Sequence, residues 1–391
     1  MKNILIFSGG RGSTNLIDAL FNLSIPLQIS SIINLYDDGK SSGMIRSIFD
    51  MPGPSDARKV QEIFLKNDGQ STKYQQSLFN LRISTTYLNF LKEINNFNSK
   101  KSNNIFGISV SNINFKKQLS IYLKSFIRNL NQRFINTSDM SFINIIYVGA
   151  YYNNKKNINK TIKAISKLFG IKNEVISCGN RNLYLSGIND NNKIFYSEEE
   201  IVEQRSNTNM KDIFLSKNKL QKNLFANKSN SNKINSIKKK SVRDIITKEA
   251  IKLIKNADFI IYSPGTPYSS LYPSYYVKGV GSAIARNKKA KKIMITNIGS
   301  DYETPKFSAN DYVKNTIRFL NTDKKNHINE LITHILVNKP VNKKKFYVKP
   351  TLDKNLLKYF SCYIENFELN KQQGVHCPKK MNKIFKKIIL N

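Results

Sequence analysis

Ile4-Leu5-Ile6-Phe7-Ser8-Gly9-Gly10-Arg11-Gly12-Ser13 is the stretch on which the reading of this chain turns. A short apolar run, continuous rather than alternating, predicts a buried strand. The glycines that follow let the backbone turn sharply and approach a ligand without Cβ atoms in the way. Leu16, Ile17, Leu20 and Leu23 then recur at helical spacing. Ile29–Tyr36 is again apolar and β-branched, and stops at Asp37-Asp38-Gly39. Strand, glycine turn, helix and strand in that order form a βαβ unit. Such units build parallel sheets with crossover helices.

Working outward, residues 60–100, 118–135 and 159–169 read as helical, and Phe142–Tyr147 as a further strand. The α/β grammar returns late in the chain. Asp258–Tyr262 predicts a strand, Ser263–Ser270 a loop, Gly279–Arg286 a helix and Lys292–Thr296 a strand. The expected fold is α/β, with a doubly wound, mostly parallel sheet and helices on both faces. The expected domains are one α/β domain over 1–338, interrupted by a Lys/Asn-rich insertion at 201–245, and a basic C-terminal extension over 339–391. The insertion reads as mobile or as a poorly packed helix.

The 391 residues carry a formal charge of +36. Of the 63 basic residues 52 are Lys and 11 Arg, and Asn is as abundant, at 51. Lys and Asn share A/T-rich codons, so genome drift accounts for the pair without a polyanionic partner. The insertion holds 11 basic against 3 acidic residues and the extension 13 against 3. Together they carry half the net charge, outside the candidate motifs. This distribution, with no RNA-binding aromatic motif, argues against nucleic acid as the partner. Cys178, Cys362 and Cys377 show no metal-ligand spacing, and an odd count argues against a disulfide framework. The apolar run at 4–7 is too short for a secretory signal, and no stretch approaches a membrane span. The chain reads as cytoplasmic, with no membrane partner.

Four segments carry candidate chemistry. Ser8–Ser13 lies between a strand and a helix, whose free N–H groups and dipole favour phosphate. Asp37-Asp38-Gly39-Lys40-Ser41-Ser42-Gly43-Met44-Ile45-Arg46 follows the second strand, at the end where open α/β sheets bind ligands. Its paired carboxylates suit Mg²⁺ on a diphosphate, or a ribose-type diol. Helix capping would explain one Asp and one Ser there, but not the whole cluster. Pro52-Gly53-Pro54-Ser55-Asp56-Ala57-Arg58-Lys59 opens another helix. Ser263-Pro264-Gly265-Thr266-Pro267-Tyr268-Ser269-Ser270 follows a late strand. Thr296-Asn297, Asp301 and Glu303 follow the next; the two acids could line the same crevice or be solvated loop charges. Arg11, Arg46 and Arg58 all fall in these segments although Arg is scarce, which suits a planar fork that grips phosphate.

These residues together resemble the 2-phospho-L-lactate transferase superfamily, which includes the YvcK-like gluconeogenesis factors. The resemblance rests on Ser8-Gly9-Gly10-Arg11-Gly12, Asp37-Asp38-Gly39-x-Ser41-x-Gly43-x-x-Arg46, Gly53-Pro54-Ser55-Asp56-x-Arg58 and Pro264-Gly265-Thr266-x-x-Ser269-Ser270-x-x-Pro273. Asn144 with Val148-Gly149-Ala150-Tyr151 looks like the middle motif, and Asn297 with Glu303-Thr304 like the last. The motifs stand in the family's order over about residues 1–320. Arg11 stands where many members have Thr, and Pro54-Ser55-Asp56 where many have Pro-Gly-Asp. The Asp-Asp-Gly segment is closer to the YvcK-like side.

The resemblance implies a Rossmann-like sandwich and a nucleotide diphosphate-linked ligand of GDP or UDP type. Gly9, Gly10, Arg11, Gly12, Ser13, Pro264, Gly265, Thr266, Ser269, Ser270 and Asn297 would hold it. Asp38 and Asp56 become metal or acceptor-orienting candidates, with Mg²⁺ as cofactor, and Arg46 and Arg58 would neutralise phosphate charge. The function implied is transfer of a phospho-linked group to an acceptor hydroxyl. The alternative is a non-catalytic nucleotide-sugar-binding regulator of carbon or cell-wall metabolism. Either reading allows a homodimer.

Overall fold

The computed structural model describes residues 1–68, 71–99, 102–341 and 346–390. The chain divides into two compact units, one formed by Met1–Tyr36 with Ser177–Asn391 and the other by Asp37–Ile176.

Seven strands form the central sheet: β1 (Lys2–Ser8), β2 (Leu27–Ile33), β3 (Glu174–Ser177), β4 (Phe259–Tyr262), β5 (Lys291–Ile295), β6 (His334–Asn338) and β7 (Ser361–Glu365). Their spatial order is β7-β6-β5-β4-β1-β2-β3. β1 pairs in parallel with β2 and with β4, and the parallel pairing continues through β5 and β6 to β7. The expected doubly wound α/β fold is therefore what the chain adopts. The strand order reverses between β1 and β4, which places the ligand crevice of such a sheet at their carboxyl ends. Ile4, Leu5, Ile6 and Phe7 are all buried. Successive strand residues point to opposite faces, so both faces of β1 are covered.

Two segments read as peripheral are integral. In the 201–245 segment, Met210–Ser216 pairs antiparallel with Tyr184–Asn189. The Asn230–Lys240 helix buries Ile237 in a cluster with Ile188, Phe214 and Phe225. In the basic tail, Ser361–Glu365 is β7 itself. The Pro378–Leu390 helix buries Met381, Ile384, Phe385 and Ile388, and Asn382 Nδ2 donates to the Ala19 carbonyl at 3.1 Å. Apolar residues spaced for a helix face survive there beneath the lysines, which is why the tail folds.

His376 comes from the same tail. It is buried, with Nε2 3.3 Å from the Thr296 carbonyl, and burial pushes its imidazole down to about 4. The unfolded chain takes up this proton below about pH 6.5, while the folded chain resists until its own lower pKa. Stability is therefore lost as pH falls through that window. His376→Gln should recover about 2 kcal/mol of the wild-type loss between pH 7 and pH 5. Denaturant melts at the two pH values check this, and equal losses in the two proteins would refute it.

The second unit is mainly helical and includes Lys40–Phe49, Ser55–Asn67, Ile113–Leu130, Phe142–Asn153 and Ile158–Phe169. The predicted strand at Phe142–Tyr147 is a helix instead. Every residue from Phe142 to Tyr151 is buried, so no polar face marks the helical period. Gly149, in place of ending a strand, lets this helix cross against Tyr122. A Cβ at Gly149 would lie 1.9 Å from the Tyr122 carbonyl oxygen.

Candidate functional site

In the first unit, Phe7 stands opposite Tyr262, so β1 and β4 end side by side. The Ser263 amide donates to the Phe7 carbonyl at 3.2 Å. Beyond Ser8 the chain makes a tight 3₁₀ turn, Gly10–Ser13, leading into the Thr14–Phe21 helix. Beyond Ser263 it coils through a π-helical turn, Pro267–Leu271. The two turns meet with no room for side chains. A Cβ at Gly9 would lie 2.7 Å from Ser270 Cβ, and one at Gly12 only 2.9 Å from the Pro264 carbonyl oxygen and 3.0 Å from Gly265 Cα. Gly265 has φ of +150°, a conformation that β-carbon-bearing residues avoid.

The late turn is held from behind by the loop after β5. Gly265 N–H donates to Asn297 Oδ1 at 2.9 Å, and Asn297 Nδ2 donates back to the Gly265 carbonyl at 3.0 Å. Glu303 accepts from the Tyr268 amide at 2.7 Å, the Ser269 amide at 3.2 Å and the Ser269 hydroxyl at 2.5 Å. Asp301 accepts from the Glu303 and Thr304 amides, and from Asn297 Nδ2 at 3.1 Å. Burial raises the pKa of Asp301. Burial, reinforced by the Asp301 charge, pushes Glu303 up to about 8. Neither acid is a solvated loop charge.

The sequence-predicted residues thus separate by role. Ser13 Oγ donates to the Gly10 carbonyl, and Asn297 and Ser269 secure the late turn. Ser270 is fixed through its carbonyl by Asn34 Nδ2 at 2.9 Å. Arg11 and Gly12 are exposed, and Gly265, Thr266 and Ser270 are half-buried. Gly265 spends its amide on Asn297 and Ser270 its amide on the Thr266 carbonyl at 3.3 Å, while the Thr266 and Ser270 hydroxyls bond each other at 2.9 Å, so that hydroxyl pair is what this turn offers phosphate.

In the second unit a cavity of about 580 Å³ is lined by Asp37, Lys40, Ser42, Ser55, Arg58 and Lys59, with Asn144 also on its wall. Gly39, not Ser41 or Ser42, caps the Lys40–Phe49 helix. A Cβ at Gly43 would lie 2.7 Å from the Asp38 carbonyl, so glycine is required there. Arg46 is 1% exposed; its Nη1 lies 4.0 Å from Asp38 Oδ1 and 3.3 Å from the Asp37 carbonyl. Lys59 Nζ donates to Asp56 at 3.0 Å and lies 3.9 Å from Asp37. The Asp56 carboxylate, more than Asp37, raises the Lys59 pKa against the opposing effect of burial. Arg58 is buried with Nη1 3.6 Å from Glu62. Asn144 donates to Ser41 Oγ at 2.7 Å, while its Oδ1 has no partner among the described residues.

The motifs thus occupy built, close-packed positions, and comparison with known proteins gives them a family. The family model described as "2-phospho-L-lactate transferase CofD" matches residues 4–359. The chain belongs to that family. A gluconeogenesis factor of Halalkalibacterium halodurans is 23% identical over 314 residues, covering 80% of this chain and 72% of the relative. That of Bacillus subtilis is 23% identical over 312 residues, covering 80% and 73%. A relative from Aquifex aeolicus is 23% identical along 100% of this chain and 97% of its own. A crystal structure of a Bacillus halodurans protein of the UPF0052 family has a TM-score of 0.62 at 21% identity, covering 98% of this chain and 99% of its own. It shares the fold.

Among the described residues of this CofD-family chain, no three His, Cys, Asp or Glu side chains gather as a metal site. Asp38 lies beside Arg46, and Asp56 is bonded to Lys59. Mg²⁺ prefers oxygen ligands in near-octahedral geometry, with one or two carboxylates supplemented by substrate phosphates. Two carboxylates already facing cations do not build such a site on their own. Lys59 escaped the sequence reading, although its place three residues after Asp56 on a helix signals the pair. Ser42 and Ser55 stand in the second and third segments, and their hydroxyls meet inside the second unit.

Proposed function

We propose that this CofD-family chain binds a nucleotide diphosphate-linked small molecule at the turns after β1 and β4. In this reading it acts as a nucleotide-sugar sensor in carbon or cell-wall metabolism, not as a Mg²⁺-dependent phospho-lactyl transferase. The observation that carries the binding is the close-packed pair of glycine turns at the strand-order reversal. Arg11 adds an exposed guanidinium, and Thr266 and Ser270 add hydroxyls. What favours sensing over transfer is the state of the acids. Asp38 and Asp56 face Arg46 and Lys59, so the cationic partners that would balance a metal-bound diphosphate are already committed. The gluconeogenesis-factor names of the relatives point the same way.

A thermal-shift screen of GDP, UDP and UDP-sugars, with and without Mg²⁺, tests the reading. The sensor predicts a saturable UDP-sugar shift that persists without Mg²⁺, and no product after long incubation. Gly12→Ala should weaken that binding at least about tenfold while the protein stays folded, because its Cβ would push the two turns apart. Guanine preference with Mg²⁺-dependent turnover that Asp38→Ala abolishes would establish the transferase instead.

A further inference from the structure

The amino ends of β5, β6 and β7 enclose a second cavity, of about 680 Å³. It lies in the first unit, at the opposite strand ends from the glycine turns. Its walls include Lys288, Lys292, His327, Glu330, Thr333 and Tyr359. Lys292 is the second residue of β5 and is only 2% exposed. Its backbone is fixed: the amide donates to Thr333 Oγ at 2.7 Å, and the Thr333 amide donates to its carbonyl at 2.8 Å. Its ammonium has no hydrogen-bond acceptor among the described residues. Buried charges are ordinarily paired, because an unpaired one costs several kcal/mol.

Glu330, the acid on this wall, is already engaged. One carboxylate oxygen accepts from Lys288 Nζ and the other from the His327 amide at 3.1 Å. The Thr333 hydroxyl is occupied by the Lys292 backbone and by His334 Nδ1. What remains directed at the cavity is the Lys292 ammonium, with Lys288 at its rim and the Asn329 amide and Tyr359 on its walls. Burial, with the nearby Lys288 charge, lowers the Lys292 pKa, and the Glu330 carboxylate only partly offsets this.

We propose that this cavity is a binding site for a small phosphomonoester metabolite, seated on Lys292 with Lys288 at the rim. A phosphomonoester brings close to two negative charges and three acceptor oxygens. It would pair the Lys292 ammonium where it reaches the cavity and still leave room for an uncharged organic group. Its position at the amino strand ends makes it separate from the nucleotide turns, so it does not depend on the function proposed for them.

Thermal melts of the full chain test this at constant ionic strength, with inorganic phosphate or glycerol 3-phosphate raised to about 20 mM. The expected result is a saturable rise of about 2 °C or more with glycerol 3-phosphate. Lys292→Met, which keeps the volume and removes the charge, should lose the rise, and Lys288→Ala should reduce it. As a second readout on the wild type, glycerol 3-phosphate should slow acetylation of Lys292 at least about fivefold, followed by mass spectrometry. No saturable rise, an equal rise in Lys292→Met, or unprotected Lys292 would overturn the proposal. A site that accepts inorganic phosphate and excludes glycerol 3-phosphate would overturn the assignment to a monoester.

Discussion

Gly149→Ala will destabilise the helical unit of residues 37–176 by about 3 kcal/mol or more. The added Cβ would sit 1.9 Å from the Tyr122 carbonyl oxygen, 2.6 Å from its carbon and 3.0 Å from its Cα. All three are backbone atoms of the Ile113–Leu130 helix, so no rotamer change relieves the clash. The two helices must separate, and the packing of Leu119, Leu123, Ile145 and Ile146 between and around them is lost with it. Denaturant unfolding measures the loss. A midpoint within experimental scatter of the wild type would show that the crossing is looser than these distances require. Gly149 was legible as part of a motif, but its reason is packing, not ligand approach.

Glu303→Ala is the second large effect, expected to cost roughly 3 kcal/mol and to abolish the nucleotide binding proposed above. Removing the carboxylate strands the Tyr268 and Ser269 amides, both buried, and frees the Ser269 hydroxyl. The π-helical turn then loses its anchor, and with it the placement of Gly265, Thr266 and Ser270. Glu303→Gln separates charge from shape, because it resembles the protonated acid. With the folded pKa near 8 and an unfolded value near 4.5, the folded chain holds the extra proton between those values. Stability from this group is full below about pH 4.5 and falls as pH rises toward 8, by about 1 kcal/mol per pH unit. Glu303→Gln should flatten that slope while retaining most of the stability. Melting curves from pH 5 to 8 decide it, and an unchanged slope would remove Glu303 as the cause.

The strand–glycine–helix–strand opening was readable because its apolar runs are short, β-branched and bounded by glycine or acidic turns. The same holds for β4 and β5. Phe142–Asn153 was not readable, since a helix buried on every side has no amphipathic period. β7 escaped because Ser361–Glu365 is an outermost strand whose residues are exposed or part-buried, so its sequence lacks a strong apolar run. The boundaries of the second unit, at Tyr36 and Ser177, coincide with no shift in composition. In the site, the glycines and prolines announced the turns. The role of Glu303 and Asn297 as their supports could not be read, because it depends on contacts across some thirty positions of chain.

The central seam of the sheet also bears on how the chain emerges from the ribosome. The Asn3 amide meets the Asp258 side chain across 255 positions, and Asn382 reaches Ala19 across 363. At ordinary elongation speeds β1 therefore waits roughly 10 to 50 s for the strand that completes it. Throughout that interval one flank of this buried strand has no partner, a template for pairing with other nascent chains. The helices of residues 37–176 make their contacts within one short span and need not wait. Residues 1–36 are thus the segment that waits longest for its partner strand.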